Sequence, residues 1–428
     1  MRTLGIIVEY NPLHNGHVYH FRQARIVSEA DAVVAVMSGH YLQRGEPALV
    51  NKWARAEMAL RMGADLVIEL PVIYSAQPAP WFAYGAVSAL HASGVVDCLC
   101  FGSESGDMEW LNYLADLLAD EPEPLQTLLA EHLKKGASYP AAYAQAVQAY
   151  VRTFGETAHR RPETREEPDG ETGVPDKPND MLGLQYLIAL RKLNSRIMPY
   201  TIARTKAGYH DPHPTDAHIA SATAIRRMLL SEGGTLEHLA PYVPPYTLDI
   251  LRREMEAGRA PVDWERFASH LFHALLSRTR EELASFAEVT EGLENRMKRA
   301  LAEMKNDLSV GRFIELCKTK RYTRTKLQRA MTHILLNHRR DMLSGDLLAQ
   351  GVPYLRVLGF SRTGQALLKR MKRSSSVPII LNVGRNVHPT LALDIRATGI
   401  YALGYRTRSS RDLLRDYYEP PICLDEVR

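Results

Sequence analysis

Residues Gly5 to His20 read GIIVEYNPLHNGHVYH. Gly5 to Val8 is a short apolar run with the character of a buried strand. Pro12 and the Asn15-Gly16 pair break it, and the next segment carries Phe21, Ala24 and Val27 on one side, as a helix does. A strand, a tight turn and a helix N-terminus therefore present His14, Gly16 and His17 together. The first turn of a helix leaves N–H groups unpaired and exposes the positive end of its dipole, so a phosphate is stabilised there without a cation beside it. Gly16 permits close approach. Two imidazoles three positions apart can donate to the same phosphate oxygens while charge develops on them, which makes His14 and His17 the catalytic candidates. His-x-Gly-His alone is a common accident. Its weight comes from its place after the first strand of the chain, in the crevice where doubly wound sheets bind ligands.

The strands that follow support that setting. Asp31 to Met37 (DAVVAVM), Ala64 to Leu70 (ADLVIEL), Val95 to Phe101 (VVDCLCF) and Ile197 to Ala203 are apolar runs, as buried parallel strands usually are. Helical segments to about Met62, from Phe82 to Ala92 and from about Asn179 to Leu193 alternate with them. The pattern predicts an α/β fold, a Rossmann-like doubly wound parallel sheet over residues 1–233. Ahead of the second helix, with Trp53, Met58, Ala59 and Met62 on its apolar face, stand Gln43, Arg44, Lys52 and Arg55, read equally as a solvated face or as ligand contacts. Gly102 closes the fourth strand, where a base or ribose would pack on backbone. Asn179 and Asp180 read as helix N-caps or as ligand contacts. Residues 154–177 are polar, charged and rich in Pro and Gly, the composition of a mobile surface insert. Ser221, Thr223 and Arg226 open a later helix, a second N-terminus able to clamp a triphosphate from its other end.

From Gly234 the strand rhythm stops. A mainly α-helical domain is expected over 234–345 and a small mixed α/β unit over 346–428. In the helical part, Cys317 to Arg329 reads CKTKRYTRTKLQR, with Lys318, Lys320, Arg321, Arg324, Lys326 and Arg329 and no acid among them. That run is the candidate surface for a nucleic-acid backbone, and Lys369 to Arg373 is also basic.

At 428 residues the chain is long enough for two or three domains. With 24% charged and 45% hydrophobic residues and a net charge of +4, its composition is that of an ordinary soluble globular protein and gives no overall signal for nucleic acid. The four cysteines, Cys98, Cys100, Cys317 and Cys423, form no zinc pattern and read as reduced. The apolar run at the N-terminus is too short for a signal peptide and no run reaches transmembrane length. A cytoplasmic location without membrane contact is expected.

His14-x-Gly16-His17 together with Ser221-x-Thr223-x-x-Arg226 resembles the HIGH-type nucleotidyltransferase superfamily. More narrowly, NPLHNGH, MSGHYLQRGEPALVNKW, FGSE, KPND, AGYHD and IASATAIR look like the bacterial tRNA(Met) cytidine acetate ligase family, and RVLGF, HP and LDIRAT extend the likeness almost to the C-terminus. The resemblance implies an enzyme that activates acetate with ATP, with Mg2+ accompanying the nucleotide and no tightly bound cofactor or protein metal site. It passes the acetyl group to N4 of the wobble cytidine of elongator tRNA(Met). The family's ATP-binding positions carry over to Ile7, Val8, Glu9, Tyr10, Asn11 and Pro12, then His14, Asn15, Gly16, His17 and His20, and to Gly102, Asn179 and Arg204. His40 and Asp180 stand where Asn is expected. A small-molecule adenylyltransferase accounts equally for residues 1 to 230 but leaves the helical part and its basic run unexplained. An aminoacyl-tRNA synthetase is disfavoured because Lys318-Thr319-Lys320-Arg321 is a poor KMSKS match.

Overall fold

The computed structural model describes residues 1–154, 177–203 and 218–424. Eight strands form one sheet: β1 (Thr3–Val8), β2 (Ala32–Ser38), β3 (Leu66–Leu70), β4 (Cys98–Ser103), β5 (Met198–Ala203), β6 (Leu355–Ser361), β7 (Ile379–Ile380) and β8 (Ile422–Leu424). The order is β5-β4-β1-β2-β3-β6-β7, with β8 also on β6. The first five strands are mutually parallel. Their order steps outward from β1 through β2 to β3 and then returns to the other side of β1 with β4. The gap between the carboxyl ends of β1 and β4 is therefore the switch point where such sheets take a ligand. β6 runs antiparallel to β3, and β7 and β8 run parallel to β6. The strands of the C-terminal region thus extend the N-terminal sheet. In the apolar stretch Val377 to Val383 only the two residues of β7 are strand.

One face of the sheet is covered by α1 (Asn15–Ser28) and α2 (Lys52–Met62), the other by α3 (Ala79–Ser93) and α4 (Pro178–Lys192). Further along the chain, α5 (Ala222–Leu230) joins α1 and α2. Within α1 the buried residues are Phe21, Ala24 and Ser28, and Val27, expected inside, is exposed. Ser28 takes the inner position because its hydroxyl donates to the Ala24 carbonyl at 2.6 Å, leaving no polar atom unsatisfied. The helical region contributes α6 (Val310–Cys317) and α7 (Arg324–Leu336), and the C-terminal region α8 (Arg362–Ser374) and α9 (Pro389–Ala402). A third core, around Phe267, Phe286, Phe313 and Met331, includes Tyr41 from the loop after β2 and Tyr401 from α9, so the helical region packs onto both ends of the chain.

α2 corrects a sequence expectation. Lys52 and Arg55 face neither solvent nor a ligand, since both are completely buried. Arg55 donates to the carbonyls of Glu9 at 2.7 Å, Ser38 at 3.1 Å and Val50 at 3.1 Å, and to that of Gly39. It therefore ties off the ends of β1 and β2. Burial lowers its guanidinium to about 10. Lys52 Nζ lies 2.8 Å from the Glu69 carboxylate on β3 and 2.9 Å from that of Asp416 near the C-terminus. Arg356 on β6 stands 3.7 Å from Asp416 and adds a second buried cation.

Removing one member of such a group strands the others without water or partner. Lys52→Met should therefore destabilise the protein by about 3 to 5 kcal/mol in urea unfolding, and a loss under about 1 kcal/mol would refute the linkage. A second expectation concerns acid. Burial depresses His333 to about 4 and holds His40 and His338 well below the usual histidine range. A depressed folded value means that the unfolded chain takes up the proton first. Stability should be full above about pH 6.5 and fall as pH drops towards 4, by roughly 3 kcal/mol from His333 alone. Urea midpoints across that range check this, and His333→Gln should flatten the slope.

Candidate active site

α1 starts where it does because of its own histidines. His14 is the N-cap, and its Nδ1 accepts the Gly16 N–H at 3.1 Å. His17 returns the bond, its Nδ1 accepting the His14 N–H at 3.2 Å. This is a capping box built from two imidazoles. It has a chemical consequence, because a nitrogen that accepts an N–H carries no proton. In the neutral ring the proton then sits on Nε2 of both residues. The ring centroids are 3.7 Å apart, with Tyr10 5.0 Å from His17. Tyr10 is buried in a left-handed conformation at φ 47, and such strain is concentrated at working sites.

These residues open into a cavity of about 310 Å³ at the switch point. Of the positions expected from sequence, Ile7, Val8, Glu9, Tyr10, Asn11, His14, Gly16, His17 and His20 line it, with Gly102, Asn179, Ser221, Thr223 and Arg226. Pro12 and Asn15 do not. Asn15 is turned away, its side chain donating to the carbonyls of His218 at 2.9 Å and Pro241 at 3.0 Å, which fixes the loop leading to α5 against α1. Arg204 lies outside the described residues, as do 205–217 and most of the 154–177 insert.

The wall has two characters. On the α1 side two helix N-termini converge, since Ser221 caps α5 by accepting the Ala224 N–H at 3.1 Å. On the side of α3 and α4, Phe82, Phe101, Leu182 and Tyr186 give an apolar surface around Gly102. One end thus offers oriented N–H groups, hydroxyls, imidazoles and a guanidinium suited to phosphates. The other offers apolar and aromatic packing suited to a flat base.

Neither Asn179 nor Asp180 caps α4, whose N-cap is Lys177. Glu104, at the end of β4, performs that service from outside. It accepts the backbone N–H of Asn179 at 3.3 Å and of Asp180 at 2.8 Å, and the Asn179 side-chain amide as well. Asp180 in turn accepts the backbone N–H of Glu104 at 2.9 Å and of Ser105 at 3.1 Å. A carboxylate at this helix N-terminus is electrostatically favoured. The reciprocal bonds lock the β4 loop to α4, with Asn179 facing the cavity. His40, the other departure from the expected pattern, is a core residue. Its ring lies 4.3 Å from Tyr401, and its nitrogens meet the Lys52 N–H at 3.4 Å and the Thr398 hydroxyl at 3.3 Å.

Sequence reasoning missed Glu46 and did not choose between the two readings of Gln43 and Arg44. All three line the cavity from the loop after β2. Arg226 donates to the Asn11 carbonyl at 2.9 Å and to Glu46 at 3.1 Å. The other oxygen of Glu46 accepts from Gln328 on α7 at 3.3 Å. Gly45, at φ 75, has no room for a Cβ against the backbone of Gln328 and Arg329, so the loop lies directly on α7. The signal for Glu46 lay in the RGEP turn, whose Gly and Pro flank it.

Glu9 also lines the cavity. One carboxylate oxygen accepts the Gln43 N–H at 2.7 Å and the Ser38 hydroxyl at 3.1 Å, and desolvation raises its titration above the usual carboxylate range. The basic run is elsewhere, and the fold brings acids to it that the sequence spacing concealed. Lys318 and Arg324 pair with Glu315 at 3.7 and 3.2 Å, Lys326 with Glu291 at 3.2 Å and Arg329 with Glu288 at 3.0 Å.

Comparison with known proteins extends over nearly the whole chain. The profile of the HIGH nucleotidyl transferase family matches residues 1–416. The chain is 41% identical to the tRNA(Met) cytidine acetate ligase of Acetivibrio thermocellus, over 99% of this chain and 100% of that one. It is 40% identical to the enzyme of that name from Bacillus subtilis, over 100% and 98%. Among solved structures it is similar to Thermotoga maritima TmcAL bound with alpha-thio ATP, with TM-score 0.87, 33% identity and full coverage of both chains.

Proposed function

Since the chain belongs to the HIGH nucleotidyl transferase family and, within it, to the tRNA(Met) cytidine acetate ligases, we propose that it couples the cleavage of ATP by acetate, to AMP and pyrophosphate, with acetylation of tRNA(Met). It is a ligase. The observation that carries this reading is likeness at about this level along the whole chain, joined to a cavity whose two histidines, two helix N-termini and Arg226 suit a nucleoside triphosphate.

Acetate is a poor acyl donor, so it must first be activated. One of its oxygens attacks the α-phosphorus, forming an O–P bond as the bond to the bridging oxygen breaks and pyrophosphate leaves with the electron pair. Charge builds on the non-bridging oxygens at that moment. The Nε2–H groups of His14 and His17 are the donors in the best position to meet it, because their Nδ1 atoms are already committed to the backbone. Arg226 and the first turn of α5 serve the leaving pyrophosphate, and the wall around Gly102 and Asn179 takes the base and ribose. In the second step N4 of the wobble cytidine attacks the acyl carbon, AMP leaves and N4 loses a proton.

Mg2+ accompanies ATP on its phosphates in this reading. Among the described residues no group of three or more His, Cys, Asp or Glu is gathered to hold a metal. Bound with ATP, the ion would neutralise charge on the phosphates. For the tRNA, the exposed part of the basic run, Lys318, Lys320 and Arg324, with the half-buried Arg321, offers phosphate contacts, while Lys326 and Arg329 are held closer in by their acids. Incubation with ATP, labelled acetate and total tRNA tests the whole proposal. Label should appear as N4-acetylcytidine in elongator tRNA(Met), and label that stays in small molecules would leave a plain adenylyltransferase.

Two substitutions probe the cavity. His14→Asn keeps an oxygen able to accept the Gly16 N–H, so the helix cap survives, but it removes the Nε2 donor. Adenylate formation should fall on the order of 10²- to 10³-fold with little change in melting temperature. Near-normal pyrophosphate exchange would exclude the assigned role. Arg226→Lys keeps the charge but cannot bridge Asn11, Glu46 and a phosphate at once. Turnover should drop at least tenfold, by loss of a charge-assisted contact of roughly 1.5 to 3 kcal/mol. A stability loss without a catalytic loss would show that Arg226 only braces α5.

A further inference from the structure

Between Asp346 and Asp394 the chain runs for 47 residues with no Asp or Glu, yet it contains Arg356, Arg362, Lys369, Arg370, Lys372, Arg373 and Arg385. Arg356 belongs to the buried ion network. The others are exposed, and five of them fall on α8. That helix is sharply divided. Gly364, Leu367, Leu368 and Met371 are buried against the sheet, while Lys369, Arg370, Lys372 and Arg373 face water. At 100° per residue, Arg362, Lys369 and Arg373 fall on one line opposite the buried face, with Arg370 and Lys372 on either side.

This face differs from the 318–329 run in one decisive respect. There the fold supplies Glu315, Glu291 and Glu288 to four of the six cations, whereas Lys369, Arg370, Lys372, Arg373 and Arg385 all lack an ion pair among the described residues. The dipole at a helix C-terminus favours Lys372 and Arg373 in the last turn. It does not account for Lys369, Arg370 or Arg385. The face is also rigid. Ser374 donates to the Ser93 carbonyl at 3.1 Å and the Ser376 N–H to that of Ala92 at 3.0 Å, and Gly94 packs against Ser374 too closely to admit a Cβ.

We propose that the outer face of α8, with Arg385, is a docking surface for the phosphate backbone of the tRNA substrate, in addition to any contact made by the 318–329 run. The proposal rests on the functional reading above. Unpaired like charges along one helix repel one another, and a polyanion with regularly spaced phosphates relieves that repulsion while releasing counterions. A membrane is a poor match, because surface-bound helices insert their apolar face and here that face is spent on the core. A folded protein partner would be expected to meet large apolar or aromatic anchors, and the exposed residues of α8 include none.

The test compares Lys369→Glu/Arg373→Glu with the intact protein in tRNA binding across a salt series. The reversal should weaken binding at least tenfold and flatten the log–log salt dependence by about two units, while pyrophosphate exchange with ATP and acetate, which needs no tRNA, stays at the intact rate. Lys369→Gln/Arg370→Gln, outside the last helical turn, should weaken binding less and guards against a fold effect. Unchanged affinity and slope in both variants, in a protein that does bind tRNA, would overturn the surface and leave the function standing. Failure of the intact protein to bind tRNA would bring down both. Pelleting of the intact protein with phosphatidylglycerol vesicles, lost in both variants while tRNA binding is kept, would assign the face to a membrane instead.

Discussion

A buried ammonium group must have its counter-charges delivered to it, and the placement of Lys52 shows how much of this chain is arranged to do so. Its partners come from β3, through Glu69, and from a residue 364 positions away, Asp416. Burial alone would drive the proton off Lys52, yet the two carboxylates keep it charged, above the ordinary lysine range. Glu69 shows the opposite balance, since desolvation and the nearby Asp416 raise it despite Lys52. Such a group gives little net stability compared with an apolar core, but it is intolerant of alternatives. It forms only if β3, β6 and the C-terminal segment all reach one place. The antiparallel β6 carries Arg356 to that place, which accounts for the way the C-terminal strands close the edge of a sheet begun at residue 3.

Arg55, one turn further along α2, spends its donors on carbonyls at the ends of β1 and β2 rather than on a ligand. It thereby fixes the exit of β1 just before the strained Tyr10 and the His14 cap. Structural charge and the cavity are thus separate but adjacent. Buried cations set the rims of the strands, and the side chains beyond those rims are left to work on a ligand.

Much of this was legible in the sequence, for physical reasons that also mark its limits. Parallel strands buried on both faces read as continuous apolar runs, so DAVVAVM and ADLVIEL declared themselves, and the His14 turn followed from Pro and Asn-Gly punctuation. What escaped was long-range. Nothing near Lys52 announces that it will be buried, because its partners are remote. Asn179 and Asp180 look like caps until Glu104, 75 residues upstream of Asn179, is found in that role. The 318–329 run looks free of acids because Glu288 and Glu291 lie outside the window. Neither reading of Lys52 and Arg55, solvated face or ligand contact, allowed for burial, for the same reason.

Glu46 shows how the two halves of the molecule bear on each other. One carboxylate oxygen holds Arg226 at the cavity and the other accepts from Gln328 on α7, while Thr332 of the same helix donates to the Gly45 carbonyl at 2.8 Å. The loop after β2 is therefore shared between the cavity wall and the helix that carries half of the basic run. A shift of α7 against the sheet has to be taken up at Glu46, because Gly45 is already in contact with the α7 backbone and cannot yield. Any polyanion that moved α7 would thus act, through Glu46, on the Arg226 guanidinium in the cavity wall. The cationic face of α8 is anchored instead at Ser93, the opposite end of α3 from Phe82 in the cavity wall, on the other side of the sheet from α1 and α5. On physical grounds the two cationic surfaces are therefore not equivalent: one rests on the loop that supplies Glu46 to the cavity, and the other meets the sheet at the end of α3 remote from Phe82.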